Sequence, residues 1–171
     1  ETAATAAGSP VLSEHRHTVA AALESAAVVA IAGGHVGMLM WCLRLFDVRL
    51  PARVPVVAWS AGAMVLTDRV VLYNDNGPQG VRGSEVWDRG LGRVPGIVAM
   101  PHARRRLDLD DPLRAEVFVR RFGGTCLLLD DGARVDLLDD RSVPDGAKVL
   151  TATGPAILGQ PQPQPQPQTA P

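Results

Sequence analysis

The residues from Val54 to Met64 constrain the fold of this chain more than any other stretch. An apolar run of strand length, Val56 to Trp59, stops at Ser60, and only alanine or glycine occupies positions 61 to 63. This order predicts a buried parallel strand, a very tight turn and the start of a helix, because larger side chains after Ser60 would collide with neighbouring backbone. Such a turn lifts a side chain above the end of a sheet, beside free N–H groups. Ser60 is therefore either a nucleophile or an ordinary serine N-cap.

Three apolar runs of strand length, each followed by a helical pattern, indicate the fold class. The runs cover residues 28–32, 56–59 and 97–100. Apolar periodicity and a cap at Ser13 predict helices outside the Ser60 region. These helices cover residues 13–26, 36–46 and 112–122. Within the second helix, Met38 to Trp41 is expected to pack in the core. The alternation predicts an α/β fold, a mostly parallel sheet with helices on both faces.

The segments between these elements complete the expected organisation. Residues 76–95 are rich in glycine and polar side chains, which predicts a long loop that could serve as a lid or contact substrate. The strands 125–129 and 133–138, on either side of the turn Asp130-Asp-Gly132, are expected to form a hairpin. The final strand, 148–151, is expected to form an edge of the sheet. A further strand is expected over residues 70–73.

The length of 171 residues accommodates one domain with a substantial core. Residues 1–12 are rich in small side chains and are expected to form a flexible arm. Residues 13–158 should form the α/β domain. Residues 159–171 consist largely of Pro-Gln repeats, which cannot build a core and are expected to be extended and disordered.

Charge balance and cysteine content argue against several classes of function. The chain has 17 basic and 18 acidic residues, so neither a nucleic-acid partner nor an acidic membrane surface is indicated. No apolar run approaches the roughly 18–20 residues of a membrane span. Cys42 and Cys126 lie in separate apolar runs without metal-ligand spacing, which predicts buried free thiols, a cytoplasmic location and no metal site.

Candidate site residues follow the three apolar strands, at the sheet edge where ligands bind in folds of this kind. The strands end at Gly33-Gly34, Ser60 and His102. His102 could accept the Ser60 proton, and Asp75 could orient the imidazole. The N–H groups of Gly34 and Ala61 could stabilise an oxyanion. A turn glycine or a structural histidine is the ordinary alternative for each residue, and their coincidence at one edge favours catalysis.

The same residues resemble a known family. Ala58-Trp-Ser-Ala-Gly-Ala63 is similar to the G-x-S-A-G-A pattern of the serine-peptidase family of dipeptidase E (aspartyl dipeptidase) and cyanophycinase, in the class I glutamine-amidotransferase-like superfamily. Ile31-Ala-Gly-Gly34 resembles its oxyanion turn, and Asn74-Asp75 resembles the Asn-Asp pair of dipeptidase E. The other similar segments are Gly90-Leu-Gly-Arg-Val-Pro-Gly96, Pro101-His102 with the arginines 104 to 106, and Leu129-Asp-Asp-Gly132. The resemblance covers Val28 to Leu150.

This resemblance implies a flavodoxin-like sandwich and a serine-type peptidase acting without metal or cofactor. The expected substrate is a small peptide with a peptide or isopeptide bond to cleave. The implied catalytic residues are Ser60, His102 and Asp75, with Gly34 and Ala61 as the oxyanion hole. Arginine side chains could bind a substrate carboxylate through two hydrogen bonds. The expected substrate-binding residues are Gly33, His35, Arg104 and Arg106. Whether the chain forms a homodimer is open.

Departures from the family pattern keep a second function in view. Ala58 replaces the first glycine, and His35-Val36 follow the oxyanion glycines in place of Asp, Asn or Gln, which counts against cyanophycin as substrate. Only 27 residues precede Val28 where the family has a further strand–helix–strand portion, so we expect a sheet shortened on its N-terminal side. The alternative is a catalytically inactive binding module. A glutaminase is disfavoured because Ser60 stands where those enzymes use cysteine.

Overall fold

A computed structural model describes residues 10–74, 83–109, 111–137 and 142–161. The helices are α1 (Pro10–Ser25), α2 (Val36–Leu45), α3 (Ala61–Leu66), α4 (Ala103–Arg106) and α5 (Pro112–Phe122). The strands are β1 (Val29–Ile31), β2 (Val56–Ala58), β3 (Arg69–Asn74), β4 (Gly83–Arg89), β5 (Ile97–Pro101), β6 (Thr125–Leu129), β7 (Lys148–Thr151) and β8 (Gly154–Ile157). The protein is therefore a mixed α/β protein, as its sequence predicts.

The strands of the described residues form three small sheets instead of one mostly parallel sheet. β1 and β2 pair in parallel, and β3 and β4 pair antiparallel. The third sheet has the order β5-β6-β7-β8, in which only β5 and β6 are parallel. Strands β7 and β8 follow each other through a short connection, which permits only antiparallel pairing. The described strands thus include two parallel pairs, but the single mostly parallel sheet expected from the sequence is not seen among them.

Helices cover one face of the β1–β2 pair. Met40 of α2 and Val65 of α3 are fully buried there and pack in the same cluster as Ile31. Ala30 and Val57, which are register partners on the opposite face, are exposed. A second helical layer over this pair, which the sequence predicted, is not seen among the described residues.

The β5–β8 sheet has its own apolar core beneath α5. Phe118 and Phe122 stack with their ring centroids 5.4 Å apart, and Ala115 is fully buried beside them. Helix α3 and strand β3 pack against β5 and so join the two halves. The parallel pairs are therefore parts of one packed arrangement, with α3 between them.

Three predictions about loops and strands were wrong. The segment 76–95 was expected to be a loop, but Gly83–Arg89 forms β4 and pairs antiparallel with β3. The apolar strand β3 thereby gains a hydrogen-bonded partner. Residues 133–137 form no strand, so the hairpin partner of β6 is β7. Strand β8 in turn covers β7, which was expected to form the edge.

The core prediction for Met38 to Trp41 was also only partly right. Met40 is buried, whereas Met38 and Trp41 are 60% and 56% exposed. An amphipathic helix buries a single stripe, and α2 turns Val36 and Met40 toward the sheet.

The ends of the described chain differ from the sequence prediction in detail. Helix α1 begins at Pro10 rather than after Ser13, since proline is well suited to the first helical turn. Most of the predicted arm and nearly all of the predicted tail lie outside the described residues. Within the described part of the chain, no helix combines the length and apolar composition that crossing a bilayer requires.

Candidate active site

The parallel pairing of β1 and β2 brings the glycine turn, Gly33-Gly34, next to Ser60. Ile31 and Ala58, the last residues of the two strands, are register partners, so the chain segments that follow leave the same edge together. A Cβ placed on Gly33 would lie 2.8 Å from the Ser60 Cβ and 3.1 Å from its Oγ. Only glycine at position 33 leaves room for the Ser60 side chain. The predicted proximity of the glycine turn to Ser60 is thus present.

Ser60 itself has a strained backbone conformation. Its φ of 51° and ψ of −123° lie outside the usual regions for a side-chain-bearing residue, and its hydroxyl makes no capping hydrogen bond to α3. An ordinary N-cap serine has an extended backbone and accepts an N–H bond, so that alternative does not describe Ser60. A Cβ on Gly62 would lie 2.0 Å from the Ile31 carbonyl oxygen. The tight turn after Ser60 therefore depends on glycine at position 62.

The two predicted oxyanion donors flank this turn. Gly34 has a φ of +128°, which favours glycine, and Ala61 is the first residue of α3. Neither backbone N–H donates a hydrogen bond to another group in the described part of the chain. First-turn amides of a helix have no partner within the helix and are suited to bind an anionic oxygen.

His35 has a structural role at the start of α2. Its Nδ1 accepts a hydrogen bond from the Met38 N–H at 3.2 Å, so the side chain caps the helix. The ring is exposed next to the glycine turn. A contact between His35 and substrate stays a prediction.

The parallel pairing of β5 and β6 places His102 beside a carboxylate. Pro101 and Leu129 are register partners at the ends of these strands, and the His102 N–H donates to the Leu129 carbonyl at 3.0 Å. The His102 Nδ1 lies 2.9 Å from Oδ1 of Asp131. A carboxylate only accepts, so Nδ1 carries the proton and Nε2 is left as the basic nitrogen. This is the tautomer that a general base requires.

Asp130 fastens the same turn to the His102 segment. Its Oδ1 accepts the backbone N–H of Arg104 at 2.8 Å, and its Oδ2 accepts the Lys148 ammonium at 3.3 Å. Lys148 stands on β7 and shares a half-buried ion pair with Asp130. Together with the Leu129 carbonyl and the Asp131 carboxylate, these bonds hold the segment around His102 at three points.

The His102–Asp131 pair lies at the surface. The side chain of His102 is 36% exposed and that of Asp131 is 87% exposed. A polar contact that is this exposed contributes little to stability, so its structural consequence is the orientation of the ring. Sequence reasoning did not select Asp131, although a carboxylate directly after a strand parallel to the His102 strand was a usable signal. Asp75, which it did select, lies outside the described residues.

The predicted substrate arginines occupy the first turn after His102. Arg104 is exposed, and its backbone N–H is bound to Asp130. The Arg106 guanidinium lies 5.0 Å from the centroid of the Tyr73 ring, a cation–π arrangement. Their binding of a substrate carboxylate stays a prediction. Among the residues that the structure covers, no group of three or more His, Cys, Asp or Glu side chains could hold a metal ion.

Comparisons with known proteins give no family for this chain. No protein-family model matches the chain, and no curated protein or solved structure is significantly similar to it. The resemblance to dipeptidase E and cyanophycinase therefore rests on the motifs themselves.

Proposed function

We propose that this protein is a serine-type hydrolase that cleaves a peptide or isopeptide bond in a small peptide. One observation carries the proposal. Three non-glycine residues in the described part of the chain have a left-handed φ, and two of them are Ser60 and His102. Such conformations cost about 1–3 kcal/mol each and cluster at functional sites, where the surrounding structure imposes them. The sequence points to the same two residues, to Ser60 through its tight turn and to His102 through its place at a strand end.

The proposed reaction has two steps. Ser60 Oγ bonds to the substrate carbonyl carbon while its proton passes to Nε2 of His102, and the N–H groups of Gly34 and Ala61 bind the oxyanion. The C–N bond then breaks and His102 gives the proton to the leaving amine. Water attacks the acyl-enzyme, loses a proton to His102 and releases the acid, and the proton returns to Ser60. Asp131 orients His102 throughout.

The specific type of α/β fold is part of the same proposal. We infer that the two parallel pairs are parts of a class I amidotransferase-like, flavodoxin-like sandwich of the dipeptidase E type. The supporting feature is that each pair ends in one half of the site. Both cysteines are free, which favours a reducing, cytoplasmic compartment.

A catalytically inactive binding module is the second candidate. Within the described residues, no hydrogen bond joins Ser60 to His102. The orienting carboxylate, Asp131, is also open to solvent. Catalytic hydrogen bonds are often long before substrate binds, so the hydrolase remains the better supported function.

Hydrolysis by the Ser60→Ala variant tests the proposal. Wild type, Ser60→Ala and the matched Ser25→Ala variant are incubated with a dipeptide mixture, and products are followed by mass spectrometry. Circular dichroism checks that all three proteins fold alike. We expect wild type and Ser25→Ala to release amino acids and Ser60→Ala to lose all measurable turnover. Turnover retained by Ser60→Ala would remove Ser60 from the mechanism, and a folded wild type without turnover would favour the binding module.

A further inference from the structure

We propose that the substrate residue contributing the scissile carbonyl carries an apolar or aromatic side chain, held between the indoles of Trp59 and Trp87. This inference rests on the proposed hydrolase function and names its substrate class. It follows from the side chains at the two ends of the segment 33–37, which runs from the glycine turn into the start of α2.

Trp59 forms the wall next to the nucleophile. The point where a Cβ on Gly33 would lie is 3.1 Å from Ser60 Oγ and 3.8 Å from Cδ1 of Trp59. The indole therefore lies beside the hydroxyl that would attack the substrate. Trp59 is 51% exposed, so a large apolar surface faces water at this place. A ligand side chain that covered it would gain the free energy of apolar burial.

Trp87 of β4 lies at the other end of the segment 33–37, next to Gly37. A Cβ on Gly37 would lie 3.4 Å from Cη2 of Trp87 and 3.2 Å from Cε1 of His35. Trp87 is 42% exposed. Its indole thus reaches over the start of α2, two residues beyond His35.

An ion pair fixes β4 in this position. The Arg44 guanidinium donates to Asp88 Oδ2 at 2.6 Å and to the Arg89 carbonyl at 2.9 Å. The hydrogen bond from Arg44 lowers the pKa of Asp88, which keeps the carboxylate ionised. Asp88 and Arg89 directly follow Trp87, so α2 holds the strand that carries the indole. Trp87 is therefore held in place by α2, the helix that directly follows the glycine turn.

The surface between the walls suits an apolar side chain better than an acidic one. Among the described residues, the side-chain atoms nearest to a Cβ on Gly33 or Gly37 belong to Trp59, Ser60, His35 and Trp87. None of them is an arginine or a lysine, and His35 Nδ1 is already occupied as the acceptor of the Met38 N–H. A carboxylate brought between two indoles would lose hydration without gaining a partner. An aromatic substrate side chain would instead stack on the indole faces.

Covalent inhibitors with different side chains test this inference. The full chain is treated with a diphenyl phosphonate analogue of phenylalanine and, separately, with the aspartate analogue. Rates of covalent labelling are measured by intact-protein mass spectrometry. We expect the phenylalanine analogue to react at least about tenfold faster. Trp59→Ala and Trp87→Ala should each reduce this ratio severalfold. Trp41→Ala, an exposed tryptophan one helical turn beyond Gly37, is the matched control and should keep the ratio.

The failure of this inference can be told apart from failure of the proposed function. An aspartate analogue that reacts as fast as the phenylalanine analogue overturns the apolar substrate class. An unchanged ratio in both Trp59→Ala and Trp87→Ala overturns the role of the indoles. A protein that reacts with a simple fluorophosphonate but with neither analogue overturns the inference and leaves the hydrolase. A folded protein that also resists the fluorophosphonate removes both proposals.

Discussion

The two parallel strand pairs deliver the two halves of the candidate site by different physical means. The β1–β2 pair positions Ser60 through close backbone packing, with Gly33 below its side chain and Gly62 against the Ile31 carbonyl. The β5–β6 pair positions His102 through side-chain hydrogen bonds from the turn that follows β6. The position of Ser60 therefore depends on glycines that lack a side chain, and that of His102 depends on the side chains of Asp130 and Asp131.

This difference determines how each half should respond to mutation. A backbone contact leaves no room to relax, so adding even one methyl group should disrupt the nucleophile turn. Hydrogen bonds at a partly exposed turn can be replaced by water, so removing one should alter the orientation of His102 more than the stability of the fold. Variants in the two halves should therefore differ in which quantity changes most, the free energy of unfolding or kcat/KM.

Gly62→Ala should have the largest effect on stability. The new Cβ would lie 2.0 Å from the Ile31 carbonyl oxygen, so α3 must shift away from β1. We expect the free energy of unfolding to fall by about 3 kcal/mol or more, measured by urea denaturation. Gly83→Ala is the matched control, since a Cβ there meets open space, and should change stability by less than about 0.5 kcal/mol. Equal stability of the two variants would contradict the backbone-packing account.

Asp131→Asn should reduce activity strongly and stability little. The amide can present an N–H to His102 Nδ1 and stabilise the wrong tautomer, so we expect kcat/KM to fall by about 100-fold. Asp75→Asn, measured in parallel, decides between the two candidate orienting carboxylates. Full activity in Asp131→Asn together with a large loss in Asp75→Asn would assign the role to Asp75.

Lys148→Met should have an intermediate effect, because it acts on His102 only through Asp130. Loss of the 3.3 Å ion pair frees one Asp130 oxygen and loosens the turn, and we expect kcat/KM to fall about fivefold. Arg134→Met removes an exposed ion pair with Asp136 and is the matched control, with unchanged activity expected. A loss in Lys148→Met no larger than in the control would exclude this positioning role.

The two cysteines should show the smallest effect, a difference in reactivity without loss of function. Cys42 on α2 is half-buried, whereas burial raises the pKa of the Cys126 thiol on β6 to about 11. Iodoacetamide at pH 8 should alkylate Cys42 and spare Cys126 until the protein unfolds in urea. Because the folded-state pKa of Cys126 is raised, its contribution to stability should be complete below the unfolded pKa and decline as pH rises toward 11. Alkylation of both thiols in the folded protein would contradict the buried β6 core.

Local elements of the fold could largely be predicted from the sequence. Helix α5 and strand β6 have the predicted bounds, because their apolar patterns and turn residues are contiguous. Strand β4 could not be predicted, since its polar residues become a strand only by pairing with β3. Tertiary pairing also decided that β7, rather than residues 133–137, is the antiparallel neighbour of β6.

The two halves of the site also differ in how far they could be predicted from the sequence. Ser60 could be found because the residues that force its turn are adjacent in sequence. Asp131 was harder to find from the sequence, because it meets His102 only through the register of β5 and β6, across 29 positions of the chain. Trp59 was expected to end a buried strand but is exposed, and Trp87 lies in a segment expected to be a loop, so the sequence did not place either indole beside the glycines.

Labelling with a serine-directed fluorophosphonate reports whether Ser60 is a nucleophile activated by His102. Purified wild type, Ser60→Ala and His102→Ala are treated in parallel, with the fold of each checked by circular dichroism. We expect wild type to be labelled at Ser60, Ser60→Ala not to be labelled, and His102→Ala to react at least about 100-fold more slowly. A folded wild type that resists the reagent, or labelling that is as fast without His102, would contradict the claim that these two strained residues form one catalytic unit.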